Sequence, residues 1–243
     1  MFTNLKNLVI PNGEVVKITS GATVLWEKIE EIEGGLPREY QEVEWIGTNA
    51  GYVDKNGYID LGFAFDTKAK IEMGQYVAVS TSGYIFGAAE NSGKLRCMLL
   101  CPNAGNSNFV LYGSTGSSYI SLTGATLLMT GELNKLTLIL EPGNLYGYNE
   151  STNSEKVNTT QGSYTMTSNL YLFAQNYNGA PRYTGVNRIA YFRYYDKDDE
   201  LICDLVPCYR KSDGVIGMYD LVLKKFFVNE LSTGTFEKGN DVI

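Results

Sequence analysis

The residue types available for chemistry are restricted, because the sequence contains no histidine. Ser-His-Asp catalysis, Cys-His catalysis and histidine-based metal sites are therefore excluded. Glycoside hydrolysis remains conceivable, since it needs two carboxyl groups, about 5–5.5 Å apart in retaining enzymes. Glu42 and Glu44 have the i, i+2 spacing that puts two side chains on one face of a strand. They lie beside Glu39 on what the pattern indicates is a solvated entry strand, so we expect no enzymatic activity.

A second acidic run, from Asp196 to Glu200, lies between two apolar segments. This position predicts a polar hairpin tip, and calcium binding by the carboxylates is the alternative. We otherwise predict no cofactor and no metal site.

The four cysteines, Cys97, Cys101, Cys203 and Cys208, have the spacings C-x3-C and C-x4-C. In a strand, residues i and i+4 are about 13 Å apart, too far to chelate one ion. We predict reduced thiols packed in the core, with disulfides as the alternative and zinc disfavoured.

A sugar site should combine exposed aromatic rings, which stack on C–H faces, with amides and other groups that pair hydroxyls. The densest such stretch runs from Gln175 to Tyr183, after an apolar segment, and its turn residues indicate a surface loop. We predict ligand-binding residues here, with an ordinary β-turn loop as the alternative: Asn176, Tyr177, Arg182 and Tyr183. Secondary candidates are Asn106, Asn108 and Tyr119. Trp26 and Trp45 are interpreted as packing anchors.

The elements that must position these residues are short strands. With 26 glycines, 18 tyrosines and 10 phenylalanines, and without a helical pattern of ten residues, the chain is typical of an all-β protein. Regular short strands predict a two-sheet antiparallel β-sandwich or jelly roll. We place strands near residues 41–46, 57–61, 75–80, 83–88, 94–100, 108–112, 118–122, 135–141, 145–149, 163–166, 170–174, 187–195, 200–206, 216–219 and 225–228.

Two units are predicted. Residues 1–33 contain an apolar run, Leu8-Val9-Ile10, a β-hairpin over 14–27 and an acidic linker. Because a segment with so few strands buries little surface, we expect it to dock onto another part of the assembly or to oligomerise. Residues 34–243 form the sandwich.

Three segments of the second unit resemble a known family: Leu36-Pro37-Arg38-Glu39-Tyr40-Gln41-Glu42-Val43-Glu44-Trp45-Ile46, Arg188-Ile189-Ala190-Tyr191-Phe192-Arg193-Tyr194-Tyr195-Asp196, and Asp204-Leu205-Val206-Pro207 through Met218-Tyr219-Asp220. The chain is similar to concanavalin A-like, or laminin-G-like, β-sandwich modules in tail, fibre and other structural proteins of phages and prophages of gut bacteria. The resemblance implies two face-to-face antiparallel sheets whose first and last strands are adjacent. It also implies a virion or phage-like particle, assembled in the bacterial cytoplasm and acting outside the cell.

Function follows from this resemblance rather than from a motif. We expect a non-catalytic module that binds a host-surface glycan, contacts other virion or tail proteins through residues 1–33, and forms a homo-oligomer. The alternatives are a purely structural decoration or tail protein and, less favoured, a glycoside hydrolase. A net charge of −7 disfavours nucleic-acid binding. No apolar run is long enough for a membrane span, and the N-terminus is not expected to be a signal peptide.

Overall fold

The structure is a computed structural model. It describes residues 17–20, 23–27, 35–48, 57–76, 83–101, 109–124, 131–182, 186–231 and 235–243. In these ranges the secondary structure is β-strand apart from one 3-10 turn at Asn91–Gly93. No helix in the described ranges is long and apolar enough to cross a membrane.

The strands are short and follow one another closely. The first ten are β1 (Lys17–Ser20), β2 (Thr23–Glu27), β3 (Tyr40–Glu42), β4 (Ile46–Gly47), β5 (Ile59–Asp66), β6 (Ala69–Tyr76), β7 (Gly83–Glu90), β8 (Leu95–Cys101), β9 (Phe109–Ser114) and β10 (Tyr119–Gly124). The others are β11 (Leu133–Glu141), β12 (Asn144–Asn149), β13 (Ser154–Asn158), β14 (Thr165–Leu172), β15 (Gln175–Tyr177), β16 (Ala180–Arg182), β17 (Arg188–Tyr195), β18 (Leu201–Arg210), β19 (Ile216–Asp220), β20 (Lys225–Phe227) and β21 (Glu237–Lys238).

Two large sheets form the sandwich, as the sequence predicts. The smaller has eight strands, in the order β10-β9-β8-β7-β14-β5, with β15 beside β7 and β16 beside β15. The larger has eleven, in the order β13-β12-β11-β6-β17-β18-β19-β20, with β3, β4 and β21 attached. Among the described strands, every pairing is antiparallel except that between β15 and β7. The hairpin expected near the N-terminus is present as the antiparallel pair β1–β2.

The core lies between the two sheets and follows a two-residue alternation. In β11, Leu136, Leu138 and Leu140 are buried, while Lys135 and Thr137 face outward. The same inward set comes from β8 and β9, where Cys97, Leu99 and Leu111 are fully buried. The outer faces of both sheets are therefore free to carry polar and aromatic side chains.

Adjacent first and last strands, which the resemblance implies, are observed. Glu237 in β21 pairs with Gly47 in β4, and Val43 forms a bridge with Asp241. Tryptophan Trp45 is half-buried at this junction, with the Arg188 guanidinium carbon 4.2 Å from its ring. The side chain of Trp26 lies outside the described residues.

Other predicted details differ from the structure. Residues 77–80 of the strand predicted at 75–80 lie outside the described residues, and its first two residues are the end of β6. The sequence places no strand over 69–74, where β6 begins. It places no strand at β13. It also predicts a loop over 175–183, where β15 and β16 form a hairpin.

The cysteine prediction is confirmed where it is described, since Cys97, Cys203 and Cys208 are buried free thiols. Burial raises the pKa of each of these thiols, that of Cys208 to about 12. The side chain of Cys101 lies outside the described residues.

Candidate functional site

The predicted ligand stretch is a tight hairpin rather than a loop. Its turn residues Asn178 and Gly179 have φ of 51° and 86°, the left-handed pair that a two-residue type I′ turn requires. Tyr177 and Ala180 pair across this turn, and Gln175 pairs with Arg182. The hairpin is attached to the smaller sheet because β15 runs parallel to β7.

Asn176 supports the hairpin from within. Its side chain is 2% exposed. Its Nδ2 donates to the Asn169 carbonyl at 2.8 Å, and its Oδ1 accepts from the Gly179 amide at 2.8 Å. The amide is thus committed to the turn, and Asn176 positions its neighbours instead of presenting free polar groups.

Tyr177 and Arg182, by contrast, are on the surface and in contact. The Arg182 guanidinium carbon lies 4.1 Å from the centroid of the Tyr177 ring. Stacking of this kind holds a guanidinium in place by its face and leaves its edge N–H groups available.

The secondary candidate Tyr119 lies on the same outer face of the smaller sheet. The strand register places Arg96, which contacts Tyr119, near the hairpin. Tyr177 pairs with Ala89 on β7, and Ala89 pairs with Arg96 on β8. The Arg96 guanidinium carbon is 3.9 Å from the Tyr119 centroid and 5.0 Å from that of Tyr112. We call these five residues, Arg96, Tyr112, Tyr119, Tyr177 and Arg182, the arginine–tyrosine face.

Sequence reasoning missed Arg96 and Tyr112. They are identified by the pairing of β7, β8 and β9. Met98 lies two residues after Arg96 on β8, and it pairs with Gly87 on β7 and with Tyr112 on β9, so Arg96 and Tyr112 are on the same sheet face. Burial raises the pKa of Tyr112, and the nearby Arg96 partly opposes this shift. The predicted residues Tyr183, Asn106 and Asn108 lie outside the described residues.

A second candidate surface is on the outer face of the larger sheet, and the sequence did not indicate it. An open groove of about 570 Å³ crosses the neighbouring strands β11, β6, β17 and β18. Three strand spacings give it a length of about 14 Å. We call it the Tyr191 groove.

The floor of the groove contains an aromatic ring laid over a glycine. Tyr191 pairs with Gly74 on the adjacent strand. A Cβ added to Gly74 would lie 2.6 Å from the Tyr191 Cε1 atom, so only glycine leaves room for the ring there. Partial burial raises the pKa of Tyr191, and the cation of Arg193 acts against this shift.

The walls of the groove are charged, and among the described residues each of these charges except the Glu42 carboxylate is paired. Arg193 Nε donates to Asp204 Oδ1 at 3.1 Å, and Lys135 Nζ lies 3.8 Å from Glu150 Oε1. Glu72, also in the lining, is 2.6 Å from Lys70 Nζ and accepts from the Tyr195 hydroxyl at 3.3 Å. The result is a set of hydrogen-bond donors and acceptors with a small net negative charge, because the Glu42 carboxylate has no cation beside it among the described residues.

These ion pairs raise the pKa of the two cations Arg193 and Lys70. Partial burial would lower the pKa of Arg193, but Asp204 more than offsets it and the pKa is raised. The hydrogen bond with Glu72 is the main reason that the pKa of Lys70 is raised. Both cations therefore stay protonated over a wide pH range.

The two acidic stretches of the sequence have separate positions. Glu42 lines the groove, but Glu44 accepts hydrogen bonds from the backbone and side-chain nitrogens of Asn240. At the other stretch, the Asp196 carboxylate accepts from the amides of Asp198 and Glu200, as a polar hairpin tip does. In the described part of the chain, no group of three or more Cys, Asp or Glu side chains could hold a metal ion. Calcium at this turn stays a prediction.

Comparison with known proteins gives the fold. No family model matches the chain, and no curated protein matches it. Among solved structures, it is similar to the native heptameric SAP-like pentraxin of Limulus polyphemus, with a TM-score of 0.53 and 10% identity over 82% of this chain and 95% of that one. Domains LG4-5 of the mouse laminin alpha1 chain align with a TM-score of 0.46 and 12% identity, over 79% and 48% of the two chains. Tailspike protein 2 of an Escherichia coli O157:H7 bacteriophage aligns with a TM-score of 0.38 and 14% identity, over 67% and 26%.

The pentraxin match extends over nearly all of that protein and most of this one. It shows that the fold is a two-sheet β-sandwich of the jelly-roll kind. At 10% identity it shows the fold alone.

Proposed function

We propose that this chain is a non-catalytic carbohydrate-binding module that holds an extended, uncharged stretch of a glycan in the Tyr191 groove. The observation that carries the proposal is the Tyr191 ring lying over Gly74 between walls of paired charges. An aromatic floor stacks on the C–H face of a sugar ring, and flanking carboxylate and guanidinium groups bond its hydroxyls.

The pairing of the charged walls favours a neutral ligand. Asp204, Glu72 and Glu150 each have a cation within 4 Å, so the lining offers hydrogen-bonding groups without a large excess charge. A guanidinium and a carboxylate side by side present donor and acceptor together, which suits neighbouring hydroxyls.

The same pairing argues against hydrolysis. A glycosidase needs one carboxyl group that holds a proton, commonly in an apolar pocket, and a second that is free to act. In this groove Glu72, Glu150 and Asp204 are each engaged by a cation, so among the described lining residues Glu42 is the single carboxylate without one. We therefore propose binding without cleavage.

The biological setting follows from the sequence resemblance to phage and prophage structural modules. We propose that the glycan is on the surface of a bacterial host and that the chain acts as part of a virion or phage-like particle, in contact with other particle proteins. Residues 1–33 stay the predicted docking and oligomerisation segment.

The test is an array of bacterial capsular, O-antigen and wall polysaccharides, screened with the full chain and followed by calorimetry on each positive sugar. Tyr191→Ala should weaken binding by about ten-fold, the scale of a lost stacking contact at a binding site. Tyr146→Ala is the matched control, because Tyr146 is on the same sheet face but outside the groove lining.

Saturable binding that Tyr191→Ala weakens and Tyr146→Ala leaves unchanged would support the proposal. Silence across the array with a well-folded protein would favour the structural role instead. Release of reducing ends from a bound polysaccharide would contradict the non-catalytic assignment.

A further inference from the structure

The outer face of the smaller sheet carries two arginines that the fold holds in place without neutralising them. Arg182 is stacked on Tyr177, and Arg96 is stacked on Tyr119. No carboxylate in the described residues is ion-paired with either. Elsewhere, Arg193 pairs with Asp204 and Arg210 with Asp213. Arg188, stacked on Trp45 in the larger sheet, likewise has no ion pair among the described residues, but only Arg96 and Arg182 are neighbours on one sheet face.

Arg96 is held at more than one point. Its Nε donates to the Gly93 carbonyl at 2.7 Å, which orients the guanidinium plane over the Tyr119 ring. Its other N–H donors have no partner in the described chain. A stacked, tethered guanidinium loses less conformational entropy on binding than a free one.

The two stacked pairs are neighbours in space. Arg96, Ala89 and Tyr177 occupy successive strands on one face of the sheet, so Arg96 and Tyr177 are about 10 Å apart. Ala89 between them carries only a methyl group. The face thus offers two guanidinium edges together with the ring of Tyr119, which is 49% exposed.

We infer that the arginine–tyrosine face is a second binding site, for an acidic glycan whose carboxylate or phosphate groups bond Arg96 and Arg182 while its sugar rings lie on Tyr119 and Tyr177. The edge of a guanidinium forms two parallel hydrogen bonds with an oxyanion, and the tyrosine rings fit the C–H faces of sugars. A glycan is favoured over single-stranded nucleic acid because the face offers two guanidinium groups, fewer than the row of phosphate contacts on which nucleic-acid affinity depends.

The test uses the full chain at low salt with four probes: polygalacturonate oligosaccharides, their methyl esters, a phosphate-bearing wall teichoic acid and an oligothymidine strand. The variants are Arg96→Gln, Arg182→Gln and Arg210→Gln. The last is the matched control, because Arg210 is also near a ring, that of Phe226, but already bonds Asp213.

We expect polygalacturonate to bind, esterification to abolish binding, and Arg96→Gln and Arg182→Gln each to weaken it by at least about ten-fold. Arg210→Gln should bind as the unmodified chain does. Teichoic acid that binds with the same dependence on Arg96 and Arg182 would also support the site and identify phosphate as the group recognised.

Four outcomes would overturn the inference: equal binding of the ester, unchanged binding by both arginine variants, binding of the oligothymidine alone, or no binding of any anionic probe. If Arg96→Gln fails to fold, Tyr119→Ala removes the same stack from an exposed position. Tyr191→Ala should retain this binding, so failure of the groove proposal and failure of this one are distinguishable.

Discussion

The Tyr191 ring lies over Gly74, and the fit leaves no space for even one methyl group: a Cβ at position 74 would come within 2.6 Å of Tyr191 Cε1. Tyr191 and Gly74, on two adjacent strands, thereby form a flat aromatic floor in the groove. The Tyr191 ring can occupy this position only because residue 74 has no side chain. In turn, the Tyr191 ring is the reason that residue 74 must be glycine.

Gly74→Ala should therefore disturb both stability and binding. Overpacking typically costs about 1–3 kcal/mol, and a displaced ring should weaken any groove ligand by about ten-fold. Urea unfolding and calorimetry would measure the two effects. In the double variant with Tyr191→Ala the alanine should cost much less, since the clashing ring is gone. Equal costs in both backgrounds would mean that the Tyr191 contact is not the reason for the glycine.

A buried pair of amides stabilises one end of the groove. Asn149 Nδ2 donates to Asn134 Oδ1 at 2.9 Å, and both residues are fully buried next to the Lys135–Glu150 wall. Asn134→Ala should remove this bond, and those that Asn134 Nδ2 donates to the Gln75 and Glu132 carbonyls, and reduce the free energy of unfolding by about 1–3 kcal/mol. Asn144→Ala is the control, because its bond to Glu141 is on a partly exposed turn. A similar loss in both variants would contradict the role of burial.

The sequence predicts the parts of the fold that depend on local alternation. β11 and β17 are found where apolar residues recur every second position, and the turn signals separate most strands correctly. The sequence predicts only the last two residues of β6 although Ala69, Ile71 and Met73 alternate with Lys70 and Glu72, because the small residues Ala69 and Gly74 weaken the pattern. β15 and β16 are three residues each, too short and too polar for a pattern to emerge.

The sites were predicted less completely because they depend on pairing between distant strands. Tyr177, Arg182 and Tyr119 were identified by residue type, but their common face requires the β15–β7–β8 register. The groove combines residues from 42 to 206, and nothing local relates Glu72 to Arg193. Asn176 was selected for its amide, and only the turn geometry shows that this amide is already bonded.

Acid should destabilise the protein partly through Glu90. Partial burial raises the pKa of this carboxyl, but hydrogen bonds from Ser168 and Thr167 outweigh it, so the pKa is lowered from its ordinary value of 4.5. A lowered folded-state pKa gives stability that is present above 4.5 and is lost as the pH falls through the folded value.

Denaturant unfolding at neutral pH and at progressively lower pH would measure this contribution. Glu90→Gln should make stability less sensitive to acid, whereas the exposed Glu132→Gln should not. An unaltered acid dependence in Glu90→Gln would show that other carboxyl groups carry it.

The buried thiols should be unreactive in the native state. Alkylation requires the thiolate, and burial raises the pKa of Cys97, Cys203 and Cys208. We expect iodoacetamide at mildly alkaline pH to modify these three residues far more slowly in native protein than in urea. Peptide mass spectrometry would report each site separately. Rapid native labelling at any of the three would mean that its strand opens readily.

Salt should separate the two proposed sites, because their electrostatics differ. The arginine–tyrosine face has unpaired cations, whereas in the groove both cations and three of the four carboxylates of the described lining are paired. Raising NaCl from about 50 mM to about 500 mM shortens the screening length several-fold. Binding of polygalacturonate should then weaken by about ten-fold, while affinity for an uncharged groove glycan should change by less than about two-fold.

The two affinities would be measured by calorimetry on the same preparation, with Arg182→Gln and Tyr191→Ala as the complementary variants. The arginine variant should remove much of the salt dependence for the acidic sugar and leave the neutral one unaffected. If both ligands respond to salt alike, and each variant impairs both, they share one site. The assignment of the acidic and the neutral glycan to separate sheet faces would then be wrong.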